Sequence, residues 1–389
     1  MQTLVETLRT KLLKVATDGE PCIEQLTTRP IFFLATSSDY GKLYAQKIAP
    51  HLQNIIAVVD DFSSQKMLHG APRWNSVQFL AQAKQYPDAV AIDFSCGPNA
   101  RGWVSRLCDA AGVEKRDYMQ ARAQLGMPAV YESAIEHREK TLANLDTFLH
   151  LADRMDDDFS KVTLYANLLF RLTYERDHLM QAWSNPSEEY FSVFPETGTF
   201  RVGQNEHYCD CGAYQGPIVK KFLGASGYRY QSITAFEPDK SNFATLAQIA
   251  QPLLPNTRFI NKGISNRQET LRFNALGNMS SRVEENGSVS IETTRLDDEL
   301  EEITFLKMDV EGFESKVVEG GASLLQRKRP RMAIAAYHYA TDLLEIMAGL
   351  DRIVGDYHFR LRQHNPNNFT DLVLYASPVS GVHPPAWAK

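Results

Sequence analysis

An acid, two glycines and a second acid set the first chemical hypothesis. Asp210 ends a short strand-like run, His207 to Asp210, and is followed by Cys211-Gly212-Ala213-Tyr214-Gln215-Gly216. Pro217 to Leu223 opens a helix, with proline at an early position where its missing N–H costs nothing. A second strand, Ile233 to Phe236, ends in Glu237-Pro238-Asp239. Strand, glycine turn, helix, strand, acid is the order of a nucleotide-type cofactor site. Glycines let the backbone approach a ligand, and an acid about twenty residues on accepts hydrogen bonds from ribose hydroxyls. The G-x-G-x-x-G fingerprint is absent, and Asp210 would repel a pyrophosphate. The turn instead suits a ligand with a cationic end, such as the amino group or sulfonium of S-adenosylmethionine. An ordinary α/β strand-turn-helix carries the same pattern without any ligand.

The rest of the chain must position these residues. Its 389 residues suffice for two or three domains. A hydrophobic content of 43% and a charged content of 23% are those of a soluble globular protein. A net charge of -6 gives no reason to expect nucleic acid as a partner. No apolar run reaches membrane-spanning length, and the N-terminus has no signal-peptide core, so a cytoplasmic protein is expected. The five cysteines are scattered and odd in number, which argues against a disulfide framework. Cys209 and Cys211 read as buried small hydrophobes; a metal pair would need a second pair to complete it.

Three domains follow: 1–112, 113–192 and 193–389. Leu4, Leu8, Leu12 and Leu13 have helical spacing. Ile31 to Thr36, Ile55 to Val59 and Ala89 to Phe94 are apolar runs that alternate with helical patterns, hence a Rossmann-like parallel sheet. This outline resembles the small N-terminal domain of some sugar-modifying acyltransferases. Its first turn, Thr36 to Gly41, has a single glycine, so a packing or partner-binding role is expected over a nucleotide site. Asp60 and Asp61 either cap the next element or bind ribose. Residues 113–192 carry helical patterns and no strand-like run, and form a linker that packs on the second sheet. Asp156-Asp157-Asp158 reads as a helix N-terminal acid cluster rather than a metal triad. Tyr190, Phe191 and Phe194 close the block. The last domain adds strands at Thr257 to Ile260, Glu269 to Phe273, Val289 to Leu296, Thr304 to Val310 and Arg331 to Ala336, and helices at Ser315 to Gln326 and from Thr341, a cap. Tyr357 to Arg362 and Leu372 to Tyr375 close it as a hairpin. The expected fold is α/β: a mostly parallel class I methyltransferase-type sheet with an antiparallel hairpin, after a smaller Rossmann-like domain and helices.

Four segments in order carry a resemblance: Asp210 to Gly216; Phe236-Glu237-Pro238; Leu306-Lys307-Met308-Asp309-Val310-Glu311-Gly312-Phe313-Glu314; and Arg329-Pro330 with Tyr337-His338 and Asp342-Leu343. Over roughly residues 190–378 the chain resembles the FkbM family of S-adenosylmethionine-dependent methyltransferases. The resemblance implies O-methylation of a hydroxyl on a sugar, polyketide or other small metabolite. It implies that Asp210, Gly212, Ala213, Tyr214 and Gly216 surround the methionine end of the cofactor, that Glu237 holds the ribose, and that Gly263 and Ile264 lie near adenine. Tyr214 stands where the family usually has Asn, and Phe313 where it usually has His.

Methyl transfer needs a base for the acceptor proton near the ends of the fourth and fifth strands. His338 is the first candidate because its ordinary pKa lies closest to working pH. It could instead bond Asp342 and shape the pocket. Asp309 is a second candidate base, and could instead hold the acceptor or a divalent ion. Glu311 either serves there or caps the following helix. Asn278, Ser280 and Ser281 could touch the acceptor, and His364 and Asn365 could form its far wall. No metal is expected. The partner is a hydroxylated small molecule, and a homodimer is compatible with the layout. The alternative is a non-catalytic nucleotide- or sugar-nucleotide-binding protein with a vestigial methyltransferase domain.

Overall fold

The computed structural model describes residues 1–18, 26–192, 200–250, 255–274, 282–283 and 289–379. Cys22, Phe194, Asn278, Ser280 and Ser281 lie outside the described residues. Strands β1 Ile31–Leu34, β2 Ile55–Val59, β3 Met67–Leu68, β4 Ala71–Trp74, β5 Val90–Asp93 and β6 Glu114–Asp117 form one sheet in the order β3-β4-β2-β1-β5-β6. The central runs IFFL and VAID are wholly buried, as parallel strands covered on both faces must be. Strand β6 corrects the expectation that residues 113–192 hold no strand. Its sequence, EKRD, has no apolar residue, but it lies at the sheet edge and is held by parallel pairing to β5. Asp60 and Asp61 turn out to be loop caps: Asp60 Oδ1 accepts from Phe62 N and Ser63 N, and Asp61 Oδ1 from Ser76 N.

Strands β7 His207–Cys211, β8 Ser232–Phe236 and β9 Thr257–Ile260 begin the second sheet. A side sheet follows, made of β10 Gly263–Ile264, β11 Thr270–Asn274, β12 Arg282–Val283 and β13 Val289–Thr294. Then come β14 Phe305–Met308, β15 Arg331–Ala335, β16 Tyr357–Gln363 and β17 Leu372–Pro378. The main sheet has the order β16-β17-β15-β14-β7-β8-β9. It is parallel except for β17, which runs antiparallel to both neighbours. This is the expected class I methyltransferase topology. Its order reverses between β14 and β7, the kind of switch point beside whose carboxyl ends open α/β sheets bind ligands.

The expected helix Ser315 to Gln326 is two helices, Glu314–Gly320 and Ala322–Lys328. Gly320 passes so close to the Ser265 carbonyl that a Cβ would lie 2.1 Å from it. Thr341 sits at the expected N-cap, but its hydroxyl donates to Glu345 instead of capping. Leu8 and Leu12 are buried as expected, while Leu13 faces solvent.

The helix Asp158–Thr173 joins the two sheets. Asp157 caps it by accepting from Ser160 N at 2.7 Å, the expected use of the acid cluster, and ion-pairs with Arg362 on β16. Twelve of its 16 residues are buried, as in a helix that is covered all round. Leu164, Leu168 and Leu172 pack in the core of the second sheet, and Phe170 in that of the first. The loop between β16 and β17 also crosses over: Tyr118 donates to the Asn367 carbonyl, and Phe369 packs on Phe170. Among the described residues no helix is long and apolar enough to cross a membrane.

Candidate active site

The glycine turn is built against the ends of two strands. Gly212 has φ +79°, and a Cβ there would lie 1.8 Å from the Asp309 carbonyl oxygen, so only glycine fits. Gly212 and Ala213 donate N–H to the Phe236 carbonyl. Gly216, φ +85°, starts the helix Pro217–Ala225. Glu237 closes the turn: Oε2 accepts from Tyr214 N and Oε1 from Asp239 N, both at 2.8 Å. Burial pushes its carboxyl up to about 6. Two backbone N–H groups use half of the acceptor capacity of a carboxylate. The remainder fits ribose hydroxyls as donors, so the acceptor at the end of β8 suits the ribose of an adenosyl cofactor. Gly263 and Ile264 fall on the side sheet, paired with Thr293 and Thr294, and the Ile264 side chain is in the core. They follow Asn261, whose Nδ2 donates to the Glu237 carbonyl at 2.8 Å.

Asp210 is wholly buried, and its charge is already engaged. Lys307 lies opposite it in the β7–β14 register, and Nζ sits 3.0 Å from Oδ1. The same ammonium donates to the Gly212 carbonyl at 2.7 Å. Burial disfavours the charged form of Lys307, but the charges of Asp210 and Asp309 outweigh it and raise its pKa. Asp210 anchors the lysine that ties down the turn, and a cationic ligand would share it with this ammonium.

Asp309 follows β14, and its N–H donates to the Cys211 carbonyl. Its carboxylate accepts from Tyr190 at 2.8 Å and from Tyr337 at 3.4 Å. Burial raises its pKa, but the His338 contact and the charge of Lys307 outweigh that and hold it well below the carboxylate range.

His338 is the centre of an acid cage. Nε2 lies 3.4 Å from Asp309 and 3.5 Å from Glu311; Nδ1 lies 3.4 Å from Glu314 and 3.9 Å from Asp342. Burial disfavours its charged form, yet the carboxylates of Glu314 and Asp309 lift its pKa well above the ordinary value. An imidazolium already holds its proton, so the cage favours His338 as a charge partner of the acids over His338 as base. Glu311 is the better-placed group. It has φ +59°, a conformation unusual for a non-glycine residue, and its side chain remains 32% exposed. Burial and then the charge of Asp309 push its carboxyl up to about 7, where a general base is most effective. It does not cap the next helix, whose N-terminus has no side-chain cap; Glu314, in the first turn, accepts from Val310 N in the preceding loop. Donor atoms of Asp309, Glu314 and His338 lie within 4.8 Å of one another. No residue is assigned to a metal.

Residues 210–361 match the family model of the methyltransferase FkbM domain. The chain carries an FkbM domain. No curated protein matches the chain. Among solved structures, the methyltransferase FkbM from Methylobacillus flagellatus KT is 24% identical, covers 96% of this chain and 100% of its own, and superposes with a TM-score of 0.76. That likeness of fold takes in the N-terminal half as well as the FkbM domain. An rRNA methylase from Streptococcus thermophilus is 18% identical over 46% of this chain and 90% of its own, TM-score 0.31. Aeropyrum pernix fibrillarin, in complex with S-adenosyl-L-methionine, is 13% identical over 45% of this chain and 67% of its own, TM-score 0.31. At that similarity neither carries an argument here.

Within the FkbM domain, the structure brings Asp210, Gly212, Ala213, Tyr214, Gly216, Glu237, Asp309 and His338 together as a connected set. His364 and Asn365 serve the hairpin loop: His364 bridges the Asn185 carbonyl and Tyr375, and Asn365 bonds Asn367 N and Thr370. Lys307, Glu314 and Tyr190 were missed. Lys307 stood in the quoted motif, but its partner is set by strand register, which the motif does not show. Tyr214 has φ +51°, a region that asparagine enters more readily than tyrosine. Tyr214→Asn is therefore expected to stabilise the chain by about 0.5–1 kcal/mol, read as a raised urea midpoint. An unchanged or lowered midpoint would show that the Tyr214 side chain outweighs the backbone strain.

Proposed function

We propose that this chain is an S-adenosylmethionine-dependent methyltransferase acting on a hydroxyl of a small metabolite such as a sugar or polyketide. The observation that carries the reading is the closure of the glycine turn at the switch point of a class I sheet. Glu237 holds the turn from β8, and the Asp309 carbonyl packs against Gly212 from β14. Glu237 would bind the ribose, the Gly212–Gly216 turn would line the methionine end, and Gly263 and Ile264 would lie toward adenine. When bound, the cofactor would supply the methyl group from its sulfonium.

The chain's own residues do the rest. Asp309, charged and held by Tyr190, Tyr337 and His338, orients the acceptor hydroxyl. Glu311 takes the proton as the oxygen bonds to the methyl carbon. The His338 imidazolium offsets the negative charge that the two acids would otherwise place side by side.

Isothermal titration with S-adenosylhomocysteine tests the cofactor half. Wild type is expected to bind, and Glu237→Ala to bind at least tenfold more weakly, since a charged hydrogen-bond acceptor is lost. No binding to wild type would overturn the reading.

A further inference from the structure

We propose that Tyr131, which precedes the FkbM domain, is a positioning residue for this reaction: it fixes the Glu311 carboxylate at the acceptor end of the site. The inference rests on Glu311 as base. The Tyr131 hydroxyl donates to Glu311 Oε2. Its ring lies over His338, with centroids 5.7 Å apart and planes 14° apart, and meets Tyr339 at 5.6 Å. The groups facing Glu311 are thus Asp309, His338 and Glu314 from the FkbM domain and Tyr131 from outside it.

The segment that delivers Tyr131 is fastened on both sides. Pro128 and Ser133 bridge its base, and Ser133 caps the helix Ala134–Ala143. The neighbouring Glu132 accepts from Ala340 N at 2.9 Å and pairs with Lys140. Glu132 therefore grips the same loop, after β15, that carries His338. Burial and the charge of Glu311 keep the Tyr131 phenol neutral, so it is a donor across the working pH range. A donor on one carboxylate oxygen does two things. It leaves the other oxygen to take a proton, and it favours the charged form of Glu311.

The test is Tyr131→Phe in the full chain, which removes the hydroxyl and keeps the ring. Glutamate labelled with carbon-13 at the carboxyl reports ionisation without any acceptor, and the Glu311 signal is assigned by its loss in Glu311→Gln. The Glu311 midpoint is expected to rise by about one pH unit in Tyr131→Phe, with S-adenosylhomocysteine affinity unchanged. With an acceptor in hand, the acidic limb of kcat/KM should move up by the same interval while KM for the cofactor holds. An unmoved midpoint overturns the proposal, even where a lowered melting temperature shows that the tyrosine stabilises the fold. Failure of wild type to bind S-adenosylhomocysteine would instead overturn the methyltransferase reading, because the titration does not depend on the cofactor.

Discussion

Glu311→Gln is expected to lower kcat by ~10²–10⁴-fold, the usual worth of a general base, while S-adenosylhomocysteine binds as before. Glutamine keeps the shape and can still accept from Tyr131, but it cannot take a proton. In wild type the base must be ionised, so kcat/KM should rise with pH through about 7, where the Glu311 carboxyl is placed by burial and by the charge of Asp309. The variant should lack that limb. If His338 were the base, the limb and most of the turnover would survive. Stability gives a second readout with a definite sign. An acid whose folded-state pKa is raised loses stability as pH climbs from its ordinary value toward the raised one. Wild type should therefore weaken between about pH 4.5 and 7 relative to Glu311→Gln, and the difference between the two should be constant at lower pH. A wild type that gains on the variant over that interval would refute the placement of Glu311.

Lys307→Met should destabilise the chain by about 3–5 kcal/mol, because it strands a buried carboxylate. Asp210 has no exposed surface, its Oδ1 faces the ammonium at 3.0 Å, and its other oxygen accepts from Tyr208 at 3.2 Å. The same substitution frees the Gly212 carbonyl, so the glycine turn loosens with it. Combining it with Asp210→Asn removes the stranded charge, and the double variant should recover a large part of the loss. Urea unfolding of the four proteins measures this coupling. A Lys307→Met cost below about 1 kcal/mol, or a double variant as weak as the sum of the singles, would mean that the pair is not what holds the turn.

The second sheet was legible because β8, β14 and β15 are short, mostly apolar and largely buried runs, and because β8 and β14 lead directly into Glu237 and Asp309. Strand β6 was not legible, since a run of four charged or polar residues becomes a strand only when a neighbour offers its edge. The site divided in the same way. Gly212, Glu237 and Asp309 could be read because local turns dictate their types. The charge state of His338 could not, because it depends on four carboxylates that meet only after folding. Tyr131 was further out of reach: it touches Glu311 across 180 residues of chain, and no local spacing marks that contact.

The helix that serves both cores also limits how this protein can admit a substrate. Two-lobed enzymes commonly open and shut by rotating one lobe about a few connecting residues. Here the element between the lobes is itself interior, with Phe170 set in one core and Leu168 and Leu172 in the other. Rotation would drag apolar side chains out of both cores at once, with a cavity left behind in each. The shared helix therefore binds the two sheets into one frame, and any hinge between them would have to break both cores together.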